Sequence, residues 1–146
     1  MLIEHILHRK GREVATVASD ATVGDAVALL HEWNVGALVV TAEGQPVAGI
    51  LSERDVVRAL AGAKDAPALL TWPVSNLMTT DLTTCGPRAT VDELARLMTD
   101  RRIRHIPVVD GDTLVGIVSI GDVVKSRLDE LQTETDSLHD YLSSGR

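Results

Sequence analysis

The chain carries the same unit twice, and no other feature of its 146 residues constrains the fold as much. Set Val14 against Leu82 and the two halves run in step. Thr16 meets Thr84, Ala21-Thr22-Val23 meets Ala89-Thr90-Val91, Leu29 meets Leu97 and Val40 meets Val108. One residue drops out in the next turn. Gly49-Ile50-Leu51-Ser52-Glu53-Arg54-Asp55-Val56-Val57 then meets Gly116-Ile117-Val118-Ser119-Ile120-Gly121-Asp122-Val123-Val124, with Gly, Ile, Ser, Asp and both Val identical. The copies align over 14–61 and 82–128. A unit this short cannot cover both faces of its own sheet, so the copies are expected to pack on each other about a pseudo-twofold axis.

Each copy reads strand, helix, strand, strand, helix, which makes the fold class α/β (α+β), two β-α-β-β-α units in one module. Residues 14–17 form the first strand. Thr22 caps a helix whose Val23, Ala26, Val27, Leu30 and Trp33 share a face. Residues 35–41 are a continuous apolar run, as in a strand covered on both faces. A turn at 42–45 leads to a strand at 46–51, and Ser52 opens a helix to about residue 60. The second copy is expected to repeat all of this, with Asp110-Gly111 as its hairpin turn. The chain then divides into a lead-in at 1–13 with a short helix at 2–9, repeat 1 at 14–61, a linker at 62–73, repeat 2 at 74–128 and a helical extension at 129–146. The last helix is expected to run from Gly121 to about Leu142. Its Leu128, Leu131, Leu138 and Leu142, with Tyr141 beside them, suit either the chain's own core or a partner helix.

Composition excludes several functions. The net charge of −7 repels nucleic-acid phosphates and anionic lipid, and 2% aromatics with no Phe leave few rings for base stacking. No run approaches the length of a membrane span, and the mixed charges of the N-terminus do not read as a signal peptide. One cysteine allows no internal disulfide and fits a reducing, cytoplasmic setting. Cys85 aligns with Val17 and reads as buried apolar filler. His5, His8, His31, His105 and His139 show no metal-ligand spacing. There is no phosphate-binding loop and no dinucleotide fingerprint. Gly116-x-x-Ser119-x-Gly121 is one residue too long for a nucleophile elbow. No residue is assigned a catalytic role.

Two motifs remain. Ser52-x-x-Asp55 and Ser119-x-x-Asp122 stand at strand-to-helix junctions, where a capping box is the plain reading; Thr22-x-x-Asp25 and Thr90-x-x-Glu93 share the spacing. A helix start also offers free N–H groups and a positive dipole end to phosphate. The second motif, Arg101-Arg102-Ile103-Arg104-His105, is the one dense basic cluster of an acidic chain. Arg101 and Arg102 suit a solvated helix end. Arg104 and His105 lie at the start of the following strand, and their counterparts in repeat 1 are Gly36 and Ala37.

The duplicated Gly-Ile-x-Ser-x-x-Asp segments, with Arg104-His105-Ile106-Pro107-Val108-Val109-Asp110, resemble a tandem pair of CBS domains, the family named after cystathionine beta-synthase. The resemblance covers residues 3–128. It implies a disc-like pair with two clefts that bind adenine nucleotides: AMP, ADP, ATP, NAD(H) or S-adenosylmethionine. By the same carry-over Asp55 and Asp122 grip ribose, while Ser52 and Ser119 approach sugar and phosphate. Ala15, Val35, Gly36 and Ala37 join Thr83, Ile103, Arg104 and His105 on the cleft walls, and Arg54 adds charge beside Asp55. Arg104 and His105 serve one cleft or the other. Such pairs regulate rather than catalyse, so the resemblance implies an energy-sensing homodimer that signals to an unidentified protein partner. An interaction module with vestigial clefts is the alternative.

Overall fold

Four helix starts set the frame. Thr22, Ser52, Thr90 and Ser119 each close a capping box with the acid three residues on, Asp25, Asp55, Glu93 and Asp122. In the computed structural model, which describes residues 1–145 and leaves Arg146 of the extension outside, these caps open α2 (Val23–Trp33), α3 (Glu53–Gly62), α5 (Val91–Arg101) and α6 (Ile120–Ser144). The other helices are α1 (Ile3–Lys10) and α4 (Ala66–Leu69), with a 3-10 turn at Val74–Asn76. Strands β1 (Thr16–Ala18), β2 (Ala37–Ala42) and β3 (Gln45–Ser52) form one sheet in that order, β1 parallel and β3 antiparallel to β2. Strands β4 (His105–Asp110) and β5 (Thr113–Ser119) pair antiparallel in a second. Gly44 and Gly111 take φ of +73° and +62° in the two hairpin turns.

The second repeat does not copy the first strand of the first. The expected strand there shrinks to a single parallel bridge, Cys85 to Val108. The reason is a pair of prolines. In repeat 1 the Val39 N–H donates to the Ala15 carbonyl and the Ser19 N–H to the Thr41 carbonyl. Their counterparts are Pro107 and Pro87, which have no N–H to give. Only the two bonds around Val108 survive, Cys85 N–H to the Pro107 carbonyl at 3.1 Å and Val109 N–H to the Cys85 carbonyl at 2.8 Å. Cys85 is half-buried against the second core rather than wholly buried. Burial, with the Glu93 charge beside it, pushes its thiol up to about 11, which keeps it protonated and inert.

Each repeat is completed by the segment that precedes the other. Ile3, Ile6 and Leu7 of α1 are buried with Val91, Leu94, Met98, Ile106, Val108 and Val118 of repeat 2. Val74, Leu77 and Met78 pack with Val17, Ala26, Leu38, Val40 and Leu51 of repeat 1. The backbone bonds match too. The Ile3 N–H donates to the Ala89 carbonyl and the Val74 N–H to the Ala21 carbonyl, each at 2.8 Å. In return the first amides of α5 and α2, at Val91 and Val23, donate to the Met1 and Trp72 carbonyls. Each segment thus satisfies a helix-start amide that its own turn leaves without a partner.

Glycine in the duplicated motif makes this crossing possible. A Cβ on Gly116 would lie 2.5 Å from the Leu7 Cδ2, and one on Gly49 would lie 2.8 Å from the Met78 Sδ and 2.9 Å from the Thr79 carbonyl oxygen. Helix α6 extends beyond its repeat, and Leu128, Leu131, Leu138, Tyr141 and Leu142 are all more than half exposed, so the stripe does not pack on the chain's own core. No helix among the described residues is long and apolar enough to cross a membrane. Gly49→Ala is expected to destabilise the fold by about 1–3 kcal/mol, because backbone must shift to admit the methyl. Gly62→Ala, in a helix with open space around it, is expected to be neutral or to stabilise by up to about 1 kcal/mol. Urea midpoints of the two variants check both.

Candidate functional site

The sheet ends and helix starts are bonded together at the centre of the module. Ala37, first in β2, pairs with Ser52, and His105, first in β4, pairs with Ser119. The Glu53 N–H donates to the Gly36 carbonyl at 2.9 Å, and the Ile120 N–H donates to the Arg104 carbonyl at 2.8 Å. The two junctions face each other closely. A Cβ on Gly36 would sit 3.5 Å from the His105 Cε1 and 3.3 Å from the Glu53 Oε1, so the His105 ring packs directly against the Gly36 backbone.

Beside this contact lies a cavity of about 350 Å³. That is within the range of small-ligand sites. It gathers Gly36, Ser52, Arg54, Asp55, Thr83, Ile103, Arg104 and His105 from the expected set. It also takes in Arg58, Asp81 and Arg102. Arg102 is the exposed helix end that the sequence suggested, and it has a second place. It caps α5 in the left-handed conformation, φ 54°, and lies on the cavity wall. Arg58 carries a readable signal, since it stands one turn after Asp55 on the same helix. Asp81 carries none, because it arrives with the crossing segment. Thr83 is held by Arg101, whose Nη1 donates to its Oγ1 at 2.6 Å.

The chemistry of the cavity is set by charge. Arg54, Arg58, Arg102 and Arg104 have no carboxylate within ion-pair distance among the described residues. The same lining also carries the carboxylates of Glu53, Asp55 and Asp81. Asp55 serves its cap with one oxygen, Oδ2, which accepts from the Ser52 N–H at 2.8 Å and the Ser52 hydroxyl at 3.0 Å. Its Oδ1 accepts no hydrogen bond among the described residues. Capping and ligand binding are therefore compatible in one side chain.

The remaining expected residues lie elsewhere. Ala15 and Ala37 are buried in or beside strands, Val35 is partly exposed after α2, and Ser119 and Asp122 form a second junction. There the Asp122 Oδ2 accepts from the Ser119 N–H at 2.9 Å, the Ser119 hydroxyl at 3.0 Å and the Lys10 Nζ at 2.7 Å. Burial pushes the Asp122 carboxyl up, but the bonds from Lys10 and Ser119 and the Lys10 charge outweigh it and hold the carboxyl below its ordinary value. His105 sits between the junctions. Burial, then the Lys10 charge, lowers its value, against the opposing pull of Asp122 and Glu53.

A duplicated α/β module with a charged cleft, lined by arginines and acids, between its copies is the class these features define. The model of the CBS domain matches residues 4–62 and 74–129. The mitochondrial CBS domain-containing protein CBSX3 of Arabidopsis thaliana is 40% identical over 131 residues; the match covers 87% of this chain and 63% of that protein. The crystal structure of the CBS-domain containing protein ATU1752 from Agrobacterium tumefaciens shares 44% identity at a TM-score of 0.81, over 87% of this chain and 99% of that one. The CBS domain pair of protein MJ0100, solved in complex with 5-methylthioadenosine and S-adenosyl-L-methionine, shares 28% identity at a TM-score of 0.75, over 90% and 98%. The chain belongs to the CBS-domain family, as its duplicated motif implied.

His105 yields a pH prediction. A histidine whose folded value lies below its ordinary 6.5 binds fewer protons folded than unfolded. Stability therefore rises with pH from the folded value up to about 6.5 and is flat above it. Between about pH 5 and 7, His105→Asn is expected to lose less stability on acidification than the native chain. Equal losses in urea titrations would mean that His105 keeps its proton on folding.

Proposed function

We propose that this CBS pair is a regulatory module that binds a phosphate-bearing adenine nucleotide in the Asp55 cleft and signals its presence to a protein partner. The observation that carries this reading is the set of four arginines with no acid within ion-pair distance among the described residues, around a cavity of nucleotide size, with one Asp55 oxygen left for a ribose hydroxyl. The adenosine ligands of the MJ0100 pair support the adenine class. The local charge favours AMP, ADP, ATP or NAD(H) over cationic S-adenosylmethionine, since guanidinium groups bind phosphate with paired, charge-assisted bonds. Regulation rather than catalysis is the role this implies.

A nucleotide at 100 times its dissociation constant is expected to add about 2.7 kcal/mol to stability, read as a thermal shift. Asp55→Ala is expected to weaken binding about 10- to 150-fold, the loss of a hydrogen bond to a charged group. Arg104→Ala is expected to weaken it in a salt-dependent way. Normal nucleotide affinity in Asp55→Ala, together with lost stability, would reduce the motif to a helix cap.

The exposed apolar side chains of the repeat-ending helices favour self-association. Val57 and Leu60 of α3 and Val124 and Leu128 of α6 are between 40% and 63% exposed. Covering them in a homodimer buries apolar surface worth roughly 25 cal/mol per Å². Sedimentation at micromolar concentration is expected to show a dimer that Val57→Asp weakens; a monomer there would refute it. A module whose clefts are vestigial, and which acts through this face alone, is the second reading.

A further inference from the structure

Helix α6 turns one face to its own module and carries a different face past it. Val123 and Ser126 are buried on the module, and beside them Arg9 donates to Asp129 at 3.1 Å and the Met1 ammonium pairs with Glu130 at 3.3 Å. The other face carries Val124, Leu128, Leu131, Thr135, Leu138 and Leu142. Their spacing alternates between four and three, the a and d positions of a heptad repeat, with Leu128, Thr135 and Leu142 at a. In that phase Val123 and Glu130 fall at c, Ser126 at f and Asp129 at b. The module thus grips α6 from outside the seam, and the five apolar seam residues are each more than half exposed. Residues 131–144 are helical and exposed at every position. A helix of that length without packing is marginal in water, so its stability comes from a partner on the seam.

We propose that this seam is one strand of a parallel, two-stranded coiled coil with a second copy of the chain. The proposal rests on the self-association read above for the repeat-ending helices, because Val124 and Leu128 belong both to that face and to the seam. The charge pattern fits a copy of the same sequence. Among the acids of residues 124–144, Asp129, Glu130, Asp136 and Asp140 lie at b, c and f, away from the seam, and only Glu134 flanks it, at g. A parallel pair sets Glu134 of one copy towards His139, at e, of the other. Thr135, the polar residue of the seam, then meets its own copy, and a polar a position specifies register. An antiparallel pair that uses the whole seam instead sets Glu134 against Glu134 and Thr135 against Leu131. It also sets Leu128 against Leu138, which holds the two module faces at opposite ends of the coil and keeps Val57 and Leu60 from meeting a second copy.

Sedimentation and cysteine cross-linking of the full chain test this. Leu131→Asp/Leu138→Asp is expected to weaken the dimer about a hundredfold or more, because it removes two buried leucines from each copy. With Cys85→Ala as background, Leu138→Cys is expected to give a disulfide-linked dimer on mild oxidation, since d meets d in a parallel pair. Asp140→Cys, at f, is expected not to. An antiparallel pair holds the two 138 positions about 15 Å apart and cross-links Leu128→Cys chains to Leu138→Cys chains when the two are mixed. That mixed product, or a dimer in which Leu138→Cys does not cross-link, overturns the proposal. A dimer that Leu131→Asp/Leu138→Asp leaves unchanged overturns it too, while the repeat-helix reading stands. A dimer that this variant dissociates and Val57→Asp does not keeps the seam and removes α3 from the interface. A native chain that sediments as a monomer and gives no Leu138→Cys cross-link overturns both.

Discussion

The module depends on the exchange of two short apolar segments between its repeats. Neither repeat carries enough helix to close its own sheet. Ile3, Ile6 and Leu7 close the second core, and Val74, Leu77 and Met78 close the first. Burying an aliphatic side chain stabilises by about 1.5–3 kcal/mol, so each segment contributes several times what a single cap does. The glycines at 49 and 116 give these segments their path, since a methyl at either would meet atoms under 3 Å away. Because the crossing runs both ways, the repeats cannot separate without opening both cores.

The same exchange makes the clefts different. The motif places a serine, an aspartate and a helix start in each repeat with nearly the same geometry. What surrounds the aspartate differs: Arg54 and Arg58 of the same helix, with Arg102 and Arg104 from beyond α5, border the cavity at one junction, and Lys10 binds the aspartate at the other. His105 lies between them, neutral through burial, where a charged imidazolium would face Lys10 and Arg104. Pseudo-symmetry in the backbone is thus compatible with an open cavity lined by four arginines at one junction and an aspartate paired with a lysine at the other.

Much of this was legible in the linear chain. The duplication, the four caps, the hairpin turns and the long last helix all rest on local chemistry, a hydroxyl three residues before an acid or a glycine that can take positive φ. The family resemblance, not local chemistry, marked Ser52, Asp55, Arg104 and His105 as site residues, and it left open which cleft Arg104 and His105 serve; the fold brings them to one cavity. The missing first strand of repeat 2 was also within reach: Pro87 and Pro107 stand where repeat 1 uses N–H donors, and that follows from alignment alone. Arg102 is the solvated helix end its position suggested, and only the fold shows that it also borders the cavity.

By itself, then, the sequence determined which residues are helix starts, strands and turns, and that there are two of each set, because those choices are made within a few residues by capping, periodicity and backbone freedom. Only the tertiary structure decided which segment completes which core, and therefore that Asp81 borders the cavity while Lys10 closes on Asp122 at the other junction. The physical reason is that both segments present the same apolar spacing to either sheet. Hydrophobic burial is non-directional, so the spacing specifies that a core will be filled but not by whose side chains. The charges carried at the ends of those segments follow the packing, and the character of each cleft follows the charges.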